Sequence, residues 1–495
     1  MSKSGERILR RRRILIVVAS LALVGSSCGA RFTLAQRNSL RDRNRGVASA
    51  GAGLATVGAG ADTGNTDATG NLTVGASQTA GSSTGGFAAT GATNSGKSGS
   101  TGGAVGLAGG PVCPSGAPST DPGVSPTTIT FGNVSTLTGP VPGLFLGAVH
   151  GAQAFINYAN SQGGVCGRKL ALKSVDDNLD PGQNGSQIDA LTPQVLGFLG
   201  SFSAVDEGGA PSMQKSGVPD VGFALTTDRF NIPNNFSPQP GAGGWPLGAL
   251  NFYKQKFGPS VIQNSAIFIQ NASSAQAQGL AEKAAAESLG YRFSMAETAI
   301  EPTQTDFSAE VSTMKSKGVK AIFFAGTAEA MGQMASQMYN AGFSVPLPVW
   351  GANAYDPIFP KLAGPGADGA ILNQSLAMYA GEDSSNAEVA KFAQWFHRSF
   401  PGSTPDVFAA FSWLSGMLWV QALNAAGAPT RAAVTRVLKG ITNFDGNGMV
   451  APDGPGNKTP PTCYLLIDVK GGKFARDPAD PATGFRCGDG GYFKQ

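Results

Sequence analysis

An alternation of strand-like and helix-like segments, from about residue 113 to residue 495, is the feature that most restricts how this chain can fold. The first strand-like segment reads TITFGNVS, with Ile129 and Phe131 at alternate positions, and the next segment places apolar residues at helical spacing. Further apolar segments follow, separated by helical stretches: KLALKSVDD, VLGFLGSFS, VPDVGFAL, SAIFIQN, KAIFFAG and LPVWGAN. Such alternation predicts an α/β fold with parallel sheets covered by helices.

The length of this region predicts more than one core. Roughly 380 residues exceed what a single hydrophobic core usually supports, so two domains or lobes are expected. Gly279–Gly290 and Ala328–Gly342 are the clearest helical segments between the predicted strands. Ligands of open parallel sheets bind at the carboxyl ends of the strands, so functional residues are expected there.

Residues 1–27 have the composition of a signal peptide. The sequence MSKSGERILRRRR is basic, and the apolar run Ile14–Gly25 that follows it is too short to span a bilayer, which takes roughly 20 residues. The run ends in Gly25-Ser26-Ser27-Cys28, which resembles a bacterial lipobox and predicts lipidation of Cys28. An ordinary signal peptide cleaved nearby is the alternative. Either way the chain is expected to be exported, and a lipid at Cys28 would hold it on the membrane.

Residues 28–112 are rich in Gly, Ser, Thr and Ala, which predicts a flexible tether ahead of the folded region. Two short motifs occur by composition within it. Gly91–Ser98 reads GATNSGKS and fits the formula of a phosphate-binding loop, and Gly81–Gly85 fits that of an esterase elbow. Neither has the strand before it and the helix after it that its chemistry requires, so nucleotide binding and hydrolysis are not predicted.

The charge balance argues against nucleic acid as a partner. The chain has 36 Lys and Arg and 32 Asp and Glu, and residues 1–27 hold six and one of these. The remainder therefore has 30 basic and 31 acidic residues, a net charge of −1, with no basic excess.

The cysteines beyond Cys28 fit disulfides in an oxidising compartment. Four cysteines allow three pairings, and we favour Cys113–Cys166, which flanks two neighbouring predicted strands, and Cys463–Cys487, which closes a short loop. Their spacing is too wide for a zinc site, and the chain has two histidines, so no metal or other cofactor is predicted.

An ordered series of segments resembles the type I periplasmic solute-binding proteins of the branched-chain amino-acid (leucine/isoleucine/valine-binding) ABC transporter receptors. These segments, which fall within about Gly123 to Phe474, are GVSPTTITFGNVSTLTGP, GGVCGRKLALKSVDDNLDP, TDFSAEVSTMKSKGVKAIFFAGTAEAMGQMASQMYNAG, FAAFSWLSGMLWVQALNAAG and CYLLIDVKGGKF. The resemblance implies two Rossmann-like lobes with parallel sheets, joined by a three-stranded hinge that closes on a small molecule. The solute-binding domain would be 113–495, with lobe one at about 123–245 and 376–440 and lobe two at about 246–375 and 441–495.

The same resemblance implies the site residues and the partners. Ser201 and Thr227 match positions that receive a ligand carboxylate, and Thr138 and Gly139 match a loop that closes over the ligand. The candidate ligand-binding residues are Thr138, Gly139, Leu144, Ser201, Ser203, Thr226, Thr227, Asn271, Thr327, Asn353 and Tyr355. The implied partners are a small-molecule ligand, an amino acid or a related small polar or apolar compound, and an ABC permease.

The chain departs from the family at the position that grips an α-amino group. Relatives with an amino-acid ligand carry an acid where this chain has Ala352, with Asn353 beside it and Asp356 the nearest acid. A buried ammonium needs a charge partner or carbonyls, so this departure weakens the case for an amino-acid ligand. A sensing or interaction module of the same fold without transport is the alternative function. No nucleophile–base constellation is recognisable, so an enzyme is not expected.

Overall fold

The computed structural model describes residues 112–488 and 490–495. The predicted signal peptide (1–27), the lipidation site Cys28, the tether up to residue 111 and the motif Gly91–Ser98 lie outside the described residues. They stay predictions from the sequence.

The strands begin with the segment that the sequence marks most clearly, β1 (Thr128–Ser135). The following strands of the described region are β2 (Lys169–Asp176), β3 (Phe198–Leu199), β4 (Asp220–Val221), β5 (Gly244–Pro246), β6 (Ser265–Gln270), β7 (Phe293–Ile300), β8 (Ala321–Ala325), β9 (Leu347–Pro348), β10 (Ile371–Gln374), β11 (Leu465–Lys470), β12 (Lys473–Arg476) and β13 (Tyr492–Lys494).

The helices alternate with these strands over most of the chain. They are α1 (Leu146–Ser161), α2 (Pro181–Leu191), α3 (Ala210–Ser216), α4 (Thr227–Asn231), α5 (Gly248–Phe257), α6 (Pro259–Ile262), α7 (Ser273–Ser288), α8 (Ser308–Ser316), α9 (Ala328–Asn340), α10 (Ile358–Ala363), α11 (Ala387–Ser399), α12 (Val407–Ala426) and α13 (Arg431–Gly440). Short 3-10 turns lie at Thr192–Gln194, Asp206–Gly209, Ala352–Ala354, Gly364–Ala367 and Gly446–Gly448.

Two four-stranded parallel sheets carry the fold, in the orders β2-β1-β3-β4 and β7-β6-β8-β9. In each sheet the chain runs from a central strand to one edge and then continues on the other side of that central strand. This reversal opens a crevice at the carboxyl ends of the strands, where ligands of such sheets bind. The predicted α/β class with parallel sheets is confirmed.

The fold also contains antiparallel strand pairs, which the alternation of strands and helices did not predict. Strands β10, β11 and β12 form an antiparallel sheet, and β13 pairs antiparallel with β5, placing Tyr492 beside Pro246. The segments of the chain around 375–377 and 449–451 also run antiparallel, because Ala377 N–H donates to Met449 O at 2.9 Å and Ala451 N–H donates to Ser375 O at 2.8 Å. These two segments connect the regions that carry the two parallel sheets.

Helix α12 is the centre of the core around the first sheet. In the described part of the chain it is the one helix long and apolar enough to cross a bilayer, but 89% of its most apolar window is buried in the protein, as in a core helix. It packs closely on α1, where Gly151 permits the contact, since a Cβ at Gly151 would lie 2.1 Å from Ala409 O. Small residues at this crossing therefore set the distance between the two helices.

Both predicted disulfides are present. Cys113 and Cys166 are joined with an S–S distance of 2.01 Å, and Cys463 and Cys487 with 2.09 Å. The first links the segment before β1 to the turn before β2. The second links the residue preceding Tyr464 to the segment that leads into β13, and so ties the C-terminal strand to the antiparallel sheet.

Candidate ligand-binding cavity

A cavity of about 250 Å³ lies where the carboxyl ends of the two parallel sheets face each other. The first sheet contributes residues that follow β3 and β4, such as Phe202 and Phe223, and the second contributes residues that follow β6, β8 and β9. The cavity is small for a ligand site, since typical sites measure roughly 300–1,000 Å³. Its position and size fit one small solute.

Five phenylalanines from the first sheet and its helices form an aromatic wall on one side of the cavity. Phe202 is at the centre, with its ring centroid 5.7 Å from Phe145, 5.5 Å from Phe223, 5.2 Å from Phe408 and 6.2 Å from Phe411. All five line the cavity. This aromatic wall offers apolar contact and ring faces to a ligand, and its side chains have no hydrogen-bond donor or acceptor.

Four donor groups along the rest of the wall are already bonded to protein acceptors. Asn353 Nδ2 donates to Gly326 O at 2.8 Å, Ser375 Oγ donates to Cys463 O at 3.1 Å, and the Tyr355 hydroxyl donates to Glu382. The Tyr492 hydroxyl, which comes from β13, donates to Gly241 O. These donors are therefore engaged in holding the wall together.

Acceptor oxygens of the wall, by contrast, are left open. Gln374 is 6% exposed and donates from Nε2 to Leu376 O at 3.0 Å and to Ala377 O at 3.4 Å, which fixes its amide orientation. Its Oε1 is buried and has no partner among the described residues, and the same holds for Oε1 of Gln239. Both glutamines line the cavity. A buried acceptor without a donor is costly, so a ligand that donates to it gains binding energy.

Glu282, on α7, is the most unusual acid of the wall. Its side chain is 6% exposed, and no described residue donates a hydrogen bond to its carboxyl or forms an ion pair with it. Burial raises its pKa from 4.5 to about 8. The nearby Tyr253 and Tyr291 have raised pKa values as well, chiefly through burial, so they stay neutral beside it. An isolated acid in a cavity wall is a candidate contact for a ligand.

Apart from its tyrosines, the ionisable residues that line the cavity are all carboxylic acids. They are Glu282, Glu329, Asp356 and Asp406, and the lining, which falls entirely within the described residues, includes no Lys, Arg or His. Two helix N-termini at the cavity are capped by the chain itself. Asp406 Oδ1 accepts from Ala409 N–H at 2.9 Å, and Thr327 Oγ1 accepts from Ala330 N–H at 3.3 Å. At these two helices the positions that otherwise attract an anion are therefore occupied by protein oxygens.

Four of the candidate residues from the sequence lie in the cavity wall: Leu144, Thr327, Asn353 and Tyr355. Leu144 precedes Phe145 of the aromatic wall and adds apolar surface to the cavity. The other three residues follow β8 and β9. Ala352 and Asp356, which mark the departure from the family, also line the cavity. Asp356 Oδ1 accepts from Ile358 N–H at 2.9 Å.

Ser201, Ser203, Thr226 and Thr227 do not line the cavity. Ser201 Oγ accepts from Val134 N–H at 3.1 Å, and Ser203 Oγ accepts from Val205 N–H at 3.2 Å, with both residues fully buried. Thr226 donates from Oγ1 to Asp206 Oδ1 at 2.5 Å, and Thr227 is the first residue of α4. In this conformation these hydroxyls hold loops of the first sheet, while their neighbours Phe202 and Ala204 line the cavity.

The remaining candidates, Thr138, Gly139 and Asn271, lie outside the lining as well. Thr138 donates to the carboxylate of Asp176, which also accepts from Leu137 N–H at 2.8 Å. Burial acts to raise the pKa of Asp176, but these hydrogen bonds outweigh it and lower the pKa. Gly139 has φ +98°, and a Cβ there would lie 2.8 Å from Asn178 O. The Asp176 carboxylate thus holds together the loop that contains Leu137 and Thr138.

Direct hydrogen bonds join the two halves of the fold beside the cavity. Ser273 Oγ, at the start of α7, donates to Glu207 Oε1 at 2.6 Å, and Ser274 N–H donates to Ala204 O at 3.2 Å. We call this pair of contacts the latch. Glu207 Oε2 is buried without a partner among the described residues.

Several wall residues were not predicted from the sequence. The aromatic wall draws Phe145, Phe202 and Phe223 from loops and Phe408 and Phe411 from helix α12. Tyr464 and Tyr492 reach the cavity through antiparallel pairing. Phe202 and Phe223, near the ends of the predicted strands VLGFLGSFS and VPDVGFAL, were the signal that the sequence offered. Within residues 112–488 and 490–495, no group of three or more His, Cys, Asp or Glu is placed to hold a metal ion.

Comparisons with known proteins agree on one family. Residues 128–473 match the periplasmic binding protein family. The chain is 23% identical over 298 residues to Leu/Ile/Val-binding protein homolog 1 of Brucella melitensis, an alignment that covers 58% of this chain and 76% of that protein.

Two solved structures share the fold at low sequence identity. The fatty acid ABC transporter substrate-binding protein from Thermomonospora curvata has a TM-score of 0.63 and 19% identity, covering 76% of this chain and 95% of the other. The branched-chain amino acid transporter substrate-binding protein LivJ from Streptococcus pneumoniae, in complex with isoleucine, has a TM-score of 0.58 and 20% identity, covering 71% and 99%.

Proposed function

The chain belongs to the periplasmic binding protein family, and on that premise we propose that it is the extracytoplasmic solute-binding component of an ABC transporter of the branched-chain amino-acid type. It captures one small molecule in the cavity and presents the closed form to a permease. The observation that carries the proposal is the cavity at the facing carboxyl ends of two parallel sheets. The relatives' own ligands are fatty acid and isoleucine by their descriptions, so the family alone leaves the solute open.

Hinge closure is the proposed mechanism. The paired segments at 375–377 and 449–451, together with the segment that contains β5, link the two sheets and are the places where backbone rotation would open the cavity. The latch between Ser273 and Glu207 forms only when the halves are together. The structure, with the latch made, therefore corresponds to a closed or nearly closed state in this scheme.

We also propose that residues 28–112 tether the folded region to a lipid at Cys28. A tether of this composition lets the binding region move near the membrane while it stays close to a permease. Metabolic labelling with a radioactive fatty acid tests the anchor. Label is expected on the native chain and is expected to be absent from Cys28→Ser, and a labelled Cys28→Ser chain would contradict it.

Thermal unfolding in the presence of a solute panel tests the binding function. The panel contains amino acids, carboxylic acids, amines, amides and aromatic compounds, each added at millimolar concentration. A solute at 100 times its Kd adds about 2.7 kcal/mol to the free energy of unfolding, which raises Tm by a few degrees.

Two variants make this test specific to the cavity. Ala272→Trp fills the cavity that Ala272 lines and is expected to abolish the shift, whereas Ala309→Trp, the same change at an exposed position on α8, is expected to leave it. A shift that survives Ala272→Trp places binding elsewhere. A panel with no response in the native chain would overturn the solute-binding proposal and favour a sensing or interaction module.

A further inference from the structure

The walls of the cavity differ in what they can offer to a ligand. One side is the aromatic wall, which provides apolar surface. The rest of the lining includes the buried acceptor Oε1 of Gln374, the acceptor Oε1 of Gln239 and the isolated carboxyl of Glu282. A ligand that fits both sides has an apolar body and a group that donates hydrogen bonds.

The charges point in the same direction. A carboxylate in this cavity meets four acidic side chains and no basic one, and the helix N-termini at α9 and α12 are already capped by Thr327 and Asp406. Helix α7 also begins at the cavity and has no side-chain cap, but its Ser274 N–H donates to Ala204 O. An ammonium meets acceptors that lack donors. At close range it also favours the ionised form of Glu282, which releases its proton to solvent and then binds the ammonium as an opposite charge. Ala352 leaves the α-amino position of the family without its acid, so the recognition of an amine here uses different residues.

We propose that the solute is a small apolar amine without a carboxylate, with its ammonium bound by Glu282 and Gln374 and its hydrocarbon body against the aromatic wall. The inference rests on the proposed function, because it assigns a ligand class to the same cavity. It separates this chain from solute-binding relatives whose ligands carry a carboxylate, such as isoleucine.

Two matched sets of compounds test the proposal with the full chain. The first set is 3-methylbutylamine, 4-methylpentanoate and leucine, and the second is 2-phenylethylamine, 3-phenylpropionate and phenylalanine. Within each set the hydrocarbon body is the same, and the head group is an amine, a carboxylate or both. Binding is measured by calorimetry and by the fluorescence of Trp245, which lines the cavity.

The expected result is that the amine of at least one set binds at least 10-fold more tightly than the carboxylate and the amino acid of that set. Equal or tighter binding of a carboxylate or an amino acid overturns the proposal, while it leaves solute binding intact. Failure of every amine in both sets also overturns it. The broader panel described above decides separately whether the chain binds any solute.

Variants of the cavity residues test where the ammonium head group binds. Glu282→Gln keeps the shape of the side chain and is expected to weaken amine binding about 10-fold or more, the cost of losing a charged hydrogen-bond partner. Glu297→Gln, the same change at an exposed position on β7, is expected to change the affinity for the amine by less than about twofold. Gln374→Met removes the second acceptor without changing charge, and it keeps the test open if one variant folds poorly. Unchanged amine affinity in both cavity variants would overturn the assignment.

Discussion

Ser273 Oγ donates a 2.6 Å hydrogen bond to Glu207 Oε1 and so joins helix α7 of the second sheet to the 3-10 turn Asp206–Gly209 that follows the first sheet. The contact lies next to the cavity, and Ser274 N–H donates to Ala204 O at 3.2 Å beside it. A bond of this kind is made only if the two halves are close. It therefore reports on closure without any ligand being identified.

The latch predicts how easily the protein opens. Glu207→Ala removes the acceptor and is expected to weaken the joined state by about 0.5–1.5 kcal/mol, since that is the net contribution of one hydrogen bond. Hydrogen exchange of the ligand-free protein measures this, because the Ser274 amide should exchange several-fold faster. Ser273→Ala should give the same result, and the double variant should add little to either single one.

Glu297→Ala, at an exposed position on β7, is the control for the loss of a glutamate. Unchanged exchange at Ser274 in both latch variants would show that the contact does not hold the halves together.

Glu282 predicts a specific dependence of stability on pH. Its pKa is about 8 in the folded protein and 4.5 in the unfolded chain, so between these values the folded state binds one more proton than the unfolded state. The free energy of unfolding therefore falls as pH rises through this range, by up to about 1.4 kcal/mol per pH unit, and the effect ends above the folded pKa.

Urea unfolding at several pH values checks this. The free energy of unfolding of the native chain, minus that of Glu282→Gln, should fall between pH 5 and pH 8, because Gln does not titrate. Glu297→Gln should follow the native curve. Tyr253 and Tyr291 do not disturb the comparison, since their raised pKa values keep them neutral over this range. Parallel curves for the native chain and Glu282→Gln would contradict a buried, protonated Glu282.

Ala352→Asp introduces an acid at the position where the resemblance to amino-acid-binding proteins leads us to expect one. Ala352 lines the cavity, so the new carboxylate should face a ligand. Leucine is expected to raise the Tm of this variant more than that of the native chain, because an α-ammonium gains a charged partner. Ala352→Asn has nearly the same size without the charge and should not respond. If both variants respond alike, charge at this position does not control amino-acid binding.

The Cys463–Cys487 disulfide is expected to support the wall as well as the stability. Replacing both cysteines by serine should lower the free energy of unfolding by about 2–4 kcal/mol. It should also loosen β13, which brings Tyr492 to the cavity, and so weaken the binding of any solute that the panel identifies. The Cys113–Cys166 pair, replaced in the same way, should cost stability while leaving affinity nearly unchanged, since no residue adjacent to either cysteine lines the cavity, whereas Tyr464 follows Cys463 and does. Equal losses of affinity in both variants would argue against a local role.

The sequence predicts the strands and helices of the fold better than the residues that line its cavity. The bounds of β1 were predicted correctly because alternating apolar residues and β-branched neighbours leave little choice. In contrast, β3, β4 and β9 shorten to two residues each, since the chain turns away at the crevice almost as soon as it enters the sheet. The predicted segments were apolar for longer because the loops after the strands are themselves buried.

The cavity residues show where sequence reasoning ends. At the carboxyl end of β3 the sequence offers Ser201, Phe202, Ser203 and Ala204, and only the backbone direction decides which side chains face the cavity. A shift of one residue exchanges the two sets, and here Phe202 and Ala204 face it. Tyr492 bonds to Gly241, 251 residues earlier in the chain, and no local pattern predicts a pairing at that distance.

The pairing of β13 with β5 has a kinetic consequence. The parallel sheets are built from neighbouring βα units, whereas this pair joins segments hundreds of residues apart, and contacts between distant segments form slowly because a long loop must close first. During refolding, both sheets should therefore regain their structure before the wall that Tyr492 completes. Competence to bind a solute should be the last property that the refolding chain recovers.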